Sequence, residues 1–148
     1  MIVIDEAEHT DIPQLCELAG ILFSQEQEFL PDEKKQTDAF RQLIANHQRG
    51  RVFVLRKGAA ILGMVNVQLL VSTACGGDVL LLEDLVVRPA CRNRGYGAAL
   101  LEHVIDFARR SGYGRITLLT DKMNTDARRF YARHGFSPSD MVPYRMLF

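Results

Sequence analysis

Seven consecutive residues, Arg92-Asn93-Arg94-Gly95-Tyr96-Gly97-Ala98, combine two guanidinium groups with two positions that carry no side chain. Before them, Val79 to Val87 is an apolar run; after them, Gly97, Leu100, Leu101, Val104, Ile105 and Ala108 follow the 3.6-residue period of a helix. The loop therefore joins a strand to a helix N-terminus. The first turn of a helix leaves four backbone N–H groups without intrahelical partners and carries roughly half a positive charge. Gly95 and Gly97 let the backbone approach oxygen atoms closely, Arg92 and Arg94 add donors, and Asn93 tolerates a left-handed conformation. Phosphate is the ligand this chemistry favours; the alternative is an ordinary glycine-containing turn.

Two carboxylates, Glu83 and Asp84, interrupt the apolar run. On a strand buried within a sheet, a carboxylate is either a general base or a group satisfied by an arginine or a backbone N–H. Regular alternation sends Asp84 to the face opposite Glu83, unless a bulge intervenes. His9, His47, His103 and His134 lack metal-ligand spacing, so no metal site is expected. Cys16, Cys75 and Cys91 are odd in number and show no CxxC spacing, which predicts reduced thiols, and Cys91 reads as a small loop residue.

The elements that must position these groups follow from periodicity. Ile2 to Ile4 is a short strand; Asp11 with Gln14 gives a capping-box-like start to a helix with Ile12, Leu15, Cys16, Ala19, Leu22 and Phe23 on its apolar face. Phe40, Leu43 and Ile44 mark a second helix. Arg51 to Leu55 and Ala60 to Val71 form a hairpin turned at Lys57-Gly58. The Val79 to Val87 strand, the helix stopping at Gly112 and the strand Ile116 to Thr120 make a βαβ unit, hence a parallel pair with a right-handed crossover. A short helix around Ala127, Phe130 and Tyr131 closes at Gly135, and Phe136 and Tyr144 to Phe148 read as terminal strands. The class is mixed α+β with one parallel step.

With 148 residues, 47% of them apolar and 24% charged, one compact domain over residues 1–148 is expected. Eighteen basic residues balance eighteen acidic ones, which argues against a nucleic-acid or anionic-lipid partner. No apolar stretch approaches the ~20 residues of a membrane span, and Met1 to His9 lacks the pattern of a signal peptide, so a cytoplasmic location is expected.

Among phosphate ligands, a dinucleotide would want Gly-x-Gly-x-x-Gly, but Leu100 stands at the third glycine, and the unit begins so late, after the strand Val79 to Val87, that the residues left are too few for the further βα units of a doubly wound sheet. There is no Gly-Lys-Ser/Thr loop either. Val87-Arg88-Pro89 followed by Arg92-Asn93-Arg94-Gly95-Tyr96-Gly97 instead resembles the V-x-P-x-x-R-x-x-G-x-G/A signature of the GNAT-type N-acetyltransferase superfamily. Downstream, Asn124-Thr125-Asp126-Ala127 with Phe130-Tyr131 and Gly135-Phe136 is similar to that family's N-x-x-A-x-x-F-Y-x-x-x-G-F segment. Asn93 departs from the pattern, standing where the family often has glycine.

The resemblance implies a GNAT-like acyl-CoA N-acyltransferase fold: a mostly antiparallel twisted sheet, helices on both faces, and one parallel step splayed to admit coenzyme A. It implies acetyl-CoA as co-substrate, with its pyrophosphate on the backbone of Arg92, Asn93, Arg94, Gly95, Tyr96, Gly97 and Ala98. The pantetheine arm would run along Leu85, Val86 and Val87 and be held by Asn124. Leu82-Glu83-Asp84 resembles the Leu-Glu-Asp segment of the polyamine-acetylating branch, which implies Glu83 as the base, directly or through water. Tyr131 matches the tyrosine that protonates the departing sulfur, and a backbone N–H near Leu85 would stabilise the oxyanion. Glu26, Glu28, Asp32 and Glu33 fall where the family builds part of its acceptor site. Family habit and the apolar C-terminal strand imply a homodimer. The activity expected is acetyl transfer to a primary amine of a small molecule or peptide; the competing reading is a non-catalytic acyl-CoA sensor or interaction module.

Overall fold

The computed structural model describes residues 1–25 and 31–148. Its elements are β1 (Ile2–Glu6), α1 (Ile12–Gln25), α2 (Glu33–Ala45), β2 (Gly50–Lys57), β3 (Ala60–Ser72), β4 (Gly77–Val87), α3 (Tyr96–Ser111), β5 (Ile116–Leu118) and α4 (Thr125–Arg133). The strands form one sheet in sequence order. The first four are antiparallel neighbours, and β5 lies parallel to β4, as the βαβ pattern predicts. Alternation along β2 divides the core in two. Val52 and Val54 join Leu15, Leu18 and Phe40 beneath α1 and α2, while Phe53 and Leu55 join Leu100, Leu101 and Val104 beneath α3. The expected mixed α+β sheet with helices on both faces is present.

The start of α1 differs from the sequence expectation. The cap is formed one turn earlier, where the Glu8 N–H donates to Asp11 Oδ2 at 2.8 Å. Gln14 leaves the helix end and bridges to the β2–β3 hairpin, donating to Ala59 O at 3.0 Å and accepting from Ile61 N at 2.8 Å. Asp11 is buried because Arg56 meets it with two guanidinium nitrogens, at 3.1 and 2.9 Å. Those hydrogen bonds hold the Asp11 carboxyl below the usual carboxylate range.

The functional half of the sheet depends on one irregularity in β4. The Leu80 N–H donates to Arg115 O on the β5 side, whereas the Arg88 N–H donates to Leu62 O on the β3 side. Peptide groups an even number of residues apart should point to the same edge of a strand. One extra residue must therefore lie between them. The β3–β4 register locates it: Asn66 is opposite Asp84 and Val67 opposite Leu82, leaving Glu83 bulged out.

The expected terminal strands are not formed. Residues 134–148 follow no strand geometry, and β5 is three residues long rather than reaching Thr120. His134 stacks on Phe130 and Phe136 packs on the α3 core, while Met141, Val142, Tyr144, Met146, Leu147 and Phe148 stand in solvent. A strand needs a hydrogen-bonded neighbouring strand, and among the described residues the sheet ends at β5 without one for this segment.

Asp11→Asn should lower the unfolding free energy by about 2 kcal/mol at neutral pH, since it removes the charge from a largely buried pair. Because the folded Asp11 carboxyl titrates below its unfolded value, the difference persists above pH ~4 and shrinks as pH falls further. Urea melts of both proteins at pH 7 and pH 3 provide the check.

Candidate active site

The β4–β5 pairing runs from Leu80 opposite Ile116 to Leu82 opposite Leu118, and there it stops. β4 continues to Val87 against β3 alone. Beyond the bulge, alternation from the Arg88 bond directs the peptide groups of Val86 to β3 and those of Leu85 and Val87 to the open edge. Val86 also sends its side chain into the core under α1. Leu85 and Val87 are thus the residues that present main-chain donors and acceptors in the gap where the two strands part.

At the end of β4, the loop turns through two left-handed residues. Asn93 has φ 62° and is the one non-glycine residue with positive φ among those described, as its type permits; Gly95 has φ 80°. The first intrahelical bond of α3 runs from Ala99 N to Gly95 O, so the amides of Tyr96, Gly97 and Ala98 precede it and face outward. Arg92 lies back over the strand end, its Nε donating to Val87 O at 3.2 Å, and Arg94 is exposed. A Cβ built on Gly97 would meet Phe130 at 3.8 Å and Val87 at 3.9 Å, ordinary contacts. The protein interior does not require glycine at position 97; whatever approaches from outside is what a side chain there would obstruct.

The same contacts bring α4 to this corner. Phe130 and Tyr131 stack edge-on with ring centroids 5.2 Å apart, and Tyr131 meets Phe136 at 5.8 Å. Burial pushes the Tyr131 phenol above the usual tyrosine value, so it is a proton donor across the neutral range. Asn124 caps α4: its Oδ1 accepts from Ala127 N at 3.0 Å, which leaves Nδ2 as the group able to donate elsewhere.

The bulge decides where the two carboxylates go. Leu82 and Leu85 both pack toward α3, so Glu83 and Asp84 between them share the face that carries α1 and α2. Alternation, which would have separated them, is broken. Glu83 is exposed rather than buried, and Asp84 is half-buried, accepting from Asn66 Nδ2 at 2.5 Å. Asn66, not among the residues singled out from the sequence, is a functional candidate that only the cross-strand register brings to Asp84. Of the acidic group between the first helices, Glu26 and Glu28 lie outside the described residues. Asp32 and Glu33 are exposed, and Asp32 is committed to capping α2 through Lys35 N at 3.2 Å. Among the described residues no cluster of three His, Cys, Asp or Glu could hold a metal, and no helix is long and apolar enough to cross a membrane.

A parallel strand pair that opens beside outward-facing amides at the start of the following helix is the architecture of the acyl-CoA N-acyltransferase fold. The chain belongs to the Acetyltransferase (GNAT) family, whose model matches residues 14–136. The resemblance read from residues 87–97 and 124–136 is thereby borne out. An N-acetyltransferase of Bacillus subtilis, YhdJ, itself uncharacterised, is 40% identical over 62 residues, 41% of this chain and 44% of that protein. Streptothricin acetyltransferase of Streptomyces lavendulae is 37% identical over 67 residues, 45% of this chain and 35% of that enzyme. The matched stretch thus spans less than half the length of either relative. A crystal structure described as a possible acetyltransferase from Clostridium difficile 630 superposes with TM-score 0.90 over 100% of this chain and 98% of that one; at 17% identity, it speaks for the fold alone.

Gly95→Ala should lower stability by about 1 kcal/mol, because φ 80° is strained for any residue with a Cβ. Gly97→Ala should instead raise it by about 0.5 kcal/mol, since its Cβ fits and alanine favours the helix. Denaturant melts of the two variants separate a glycine required by backbone geometry from one that is not.

Proposed function

We propose that this protein transfers the acetyl group of acetyl-CoA to a primary amine, by direct attack within a complex that holds both substrates. The observation that carries this reading is the gap in the sheet: β4 loses its parallel neighbour at Leu82, just before outward peptide groups at Leu85 and Val87 and the amides that open α3. An extended amide-bearing chain ending in a diphosphate is complementary to that surface. On this reading the main chain of Arg92 to Ala98 takes the pyrophosphate, Leu85 and Val87 pair with the pantetheine arm, and Asn124 Nδ2 donates to it. Val86 contributes packing from behind the strand rather than a hydrogen bond.

Each remaining chemical need has a residue. An alkylamine arrives almost entirely as its ammonium form at neutral pH, its pKa being about 10.4. Glu83, exposed at the bulge, takes a proton from nitrogen directly or through a water molecule, and the neutral amine then attacks the thioester carbonyl carbon. A backbone N–H near Leu85 meets the negative charge that grows on the carbonyl oxygen. As the carbon–sulfur bond breaks, Tyr131 gives its phenolic proton to the thiolate; the second proton on the acylated nitrogen leaves through water and restores the phenol, and Glu83 releases the first to solvent. The products are an acetamide and coenzyme A with a free thiol.

The acceptor is an amine, and streptothricin, acted on by one relative, is the first to test. The exposed apolar segment from Met141 to Phe148 supports pairing of two copies of the chain, and a cytoplasmic setting suits the supply of acetyl-CoA. A non-catalytic sensor would share the cofactor surface and would release no thiol; the proton donor beside the gap favours the enzyme.

Thiol release from acetyl-CoA should depend on added amine, and an amine panel that releases none would overturn the transferase reading. Gly97→Asp should weaken coenzyme A binding by about tenfold or more in calorimetry, through bulk and like charge against phosphate, while melting as a folded protein. Tyr131→Phe should reduce kcat by roughly 10- to 100-fold with little change in acetyl-CoA affinity. In the wild type, activity should fall at alkaline pH only above the ordinary tyrosine range, as pH rises through the raised Tyr131 value, and this limb should vanish in the variant.

A further inference from the structure

Asn66 stands at the centre of the sheet, 2% exposed, between Val65 and Val67, which are fully buried. Its cross-strand neighbours are Val52 on β2 and Asp84 on β4. Its Nδ2 donates to Asp84 Oδ2 at 2.5 Å, yet its Oδ1 is buried with no hydrogen-bond partner among the described residues. Turning the carboxamide over does not help, because it would set Oδ1 against the carboxylate. A buried acceptor left unpaired opposes folding, and a valine here would match the apolar residues on either side. Packing against the apolar residues around it gives no reason for asparagine at this position.

The reason lies in what Nδ2 holds. The bulge sets Glu83 and Asp84 side by side on one face, at the point where the sheet opens. Two adjacent carboxylates form a site for a cation, and one of them is tied in place from the strand behind. Resting on the amine-transfer reading above, we propose that Asn66 is a positioning residue for the acceptor. Its Nδ2 fixes the Asp84 carboxylate that receives the incoming ammonium ion, while Glu83, exposed beside it, takes the proton. The unpaired Oδ1 is the cost of presenting a donor to Asp84 from within an apolar sheet.

Threonine and valine are nearly equal in shape and both suit a strand, so they differ at position 66 in one hydroxyl donor. Asn66→Val should raise KM for n-butylamine and for streptothricin by about tenfold or more, with kcat within about twofold of wild type, and Asn66→Thr should recover most of the loss. Both variants should keep wild-type affinity for coenzyme A, with Tm within about 3 °C of wild type. Equal KM values for the two variants, or a shared loss of coenzyme A affinity and Tm, would reduce Asn66 to a structural residue and end the proposal.

A second measurement does not need turnover. When n-butylammonium is titrated into the coenzyme A complex, the side-chain amide resonances of Asn66 in 15N NMR should move, and in Asp84→Asn they should not. Static resonances in a protein that releases thiol with amines would refute the positioning role and leave the transferase reading intact. Moving resonances in a protein that releases no thiol would support the role and defeat that reading.

Discussion

A strand has two edges and two faces, and strict alternation assigns every residue to one of each. β4 cannot obey that rule along its whole length. Its first half must bond β5 through Leu80, and its second half must bond β3 through Arg88 while turning other peptide groups to open space. One bulged residue resolves the conflict. The same insertion brings two carboxylates onto one face, so the sheet's hydrogen-bond register and the site's charge arrangement are a single structural fact.

The loop after β4 extends this logic. Two left-handed residues, Asn93 and Gly95, turn the chain so that α3 starts with its amides beside the strand end. Arg92 ties the turn to Val87 O. Strand edge, turn and helix N-terminus are thus held as one surface, with Phe130 packed across it. The core beneath is ordinary: Leu100, Leu101 and Val104 of α3 against Leu80 and Leu82 of β4. Apolar burial there, on the order of 25 cal/mol per Å², keeps the helix start where the loop geometry needs it.

Much of this was legible in the residues. Helix periodicity gave α3 and its stop at Gly112, and residue type gave the left-handed Asn93 and the chemistry of the turn. What stayed hidden depends on pairing between distant segments. No local pattern announces that Glu83 is bulged, because a bulge is defined by the partner strand. Asn66 is not among the residues singled out from the sequence for the same reason: which face of β3 is covered depends on α1 and α2. The cap of α1 was misplaced by three residues because Gln14 is drawn to the hairpin at Ala59 and Ile61. The terminal strands failed because β-prone composition cannot supply a neighbour to pair with.

An unpaired stretch of strand is also a template for unwanted assembly, since any extended peptide can add to it. In β4 that stretch begins at the negative charge of Glu83, the position where a gatekeeper against stacking would be placed. Neutralising Glu83 removes the charge that guards an edge already without a neighbour, so a precipitate from such a variant would report on self-association before it reported on any change in turnover.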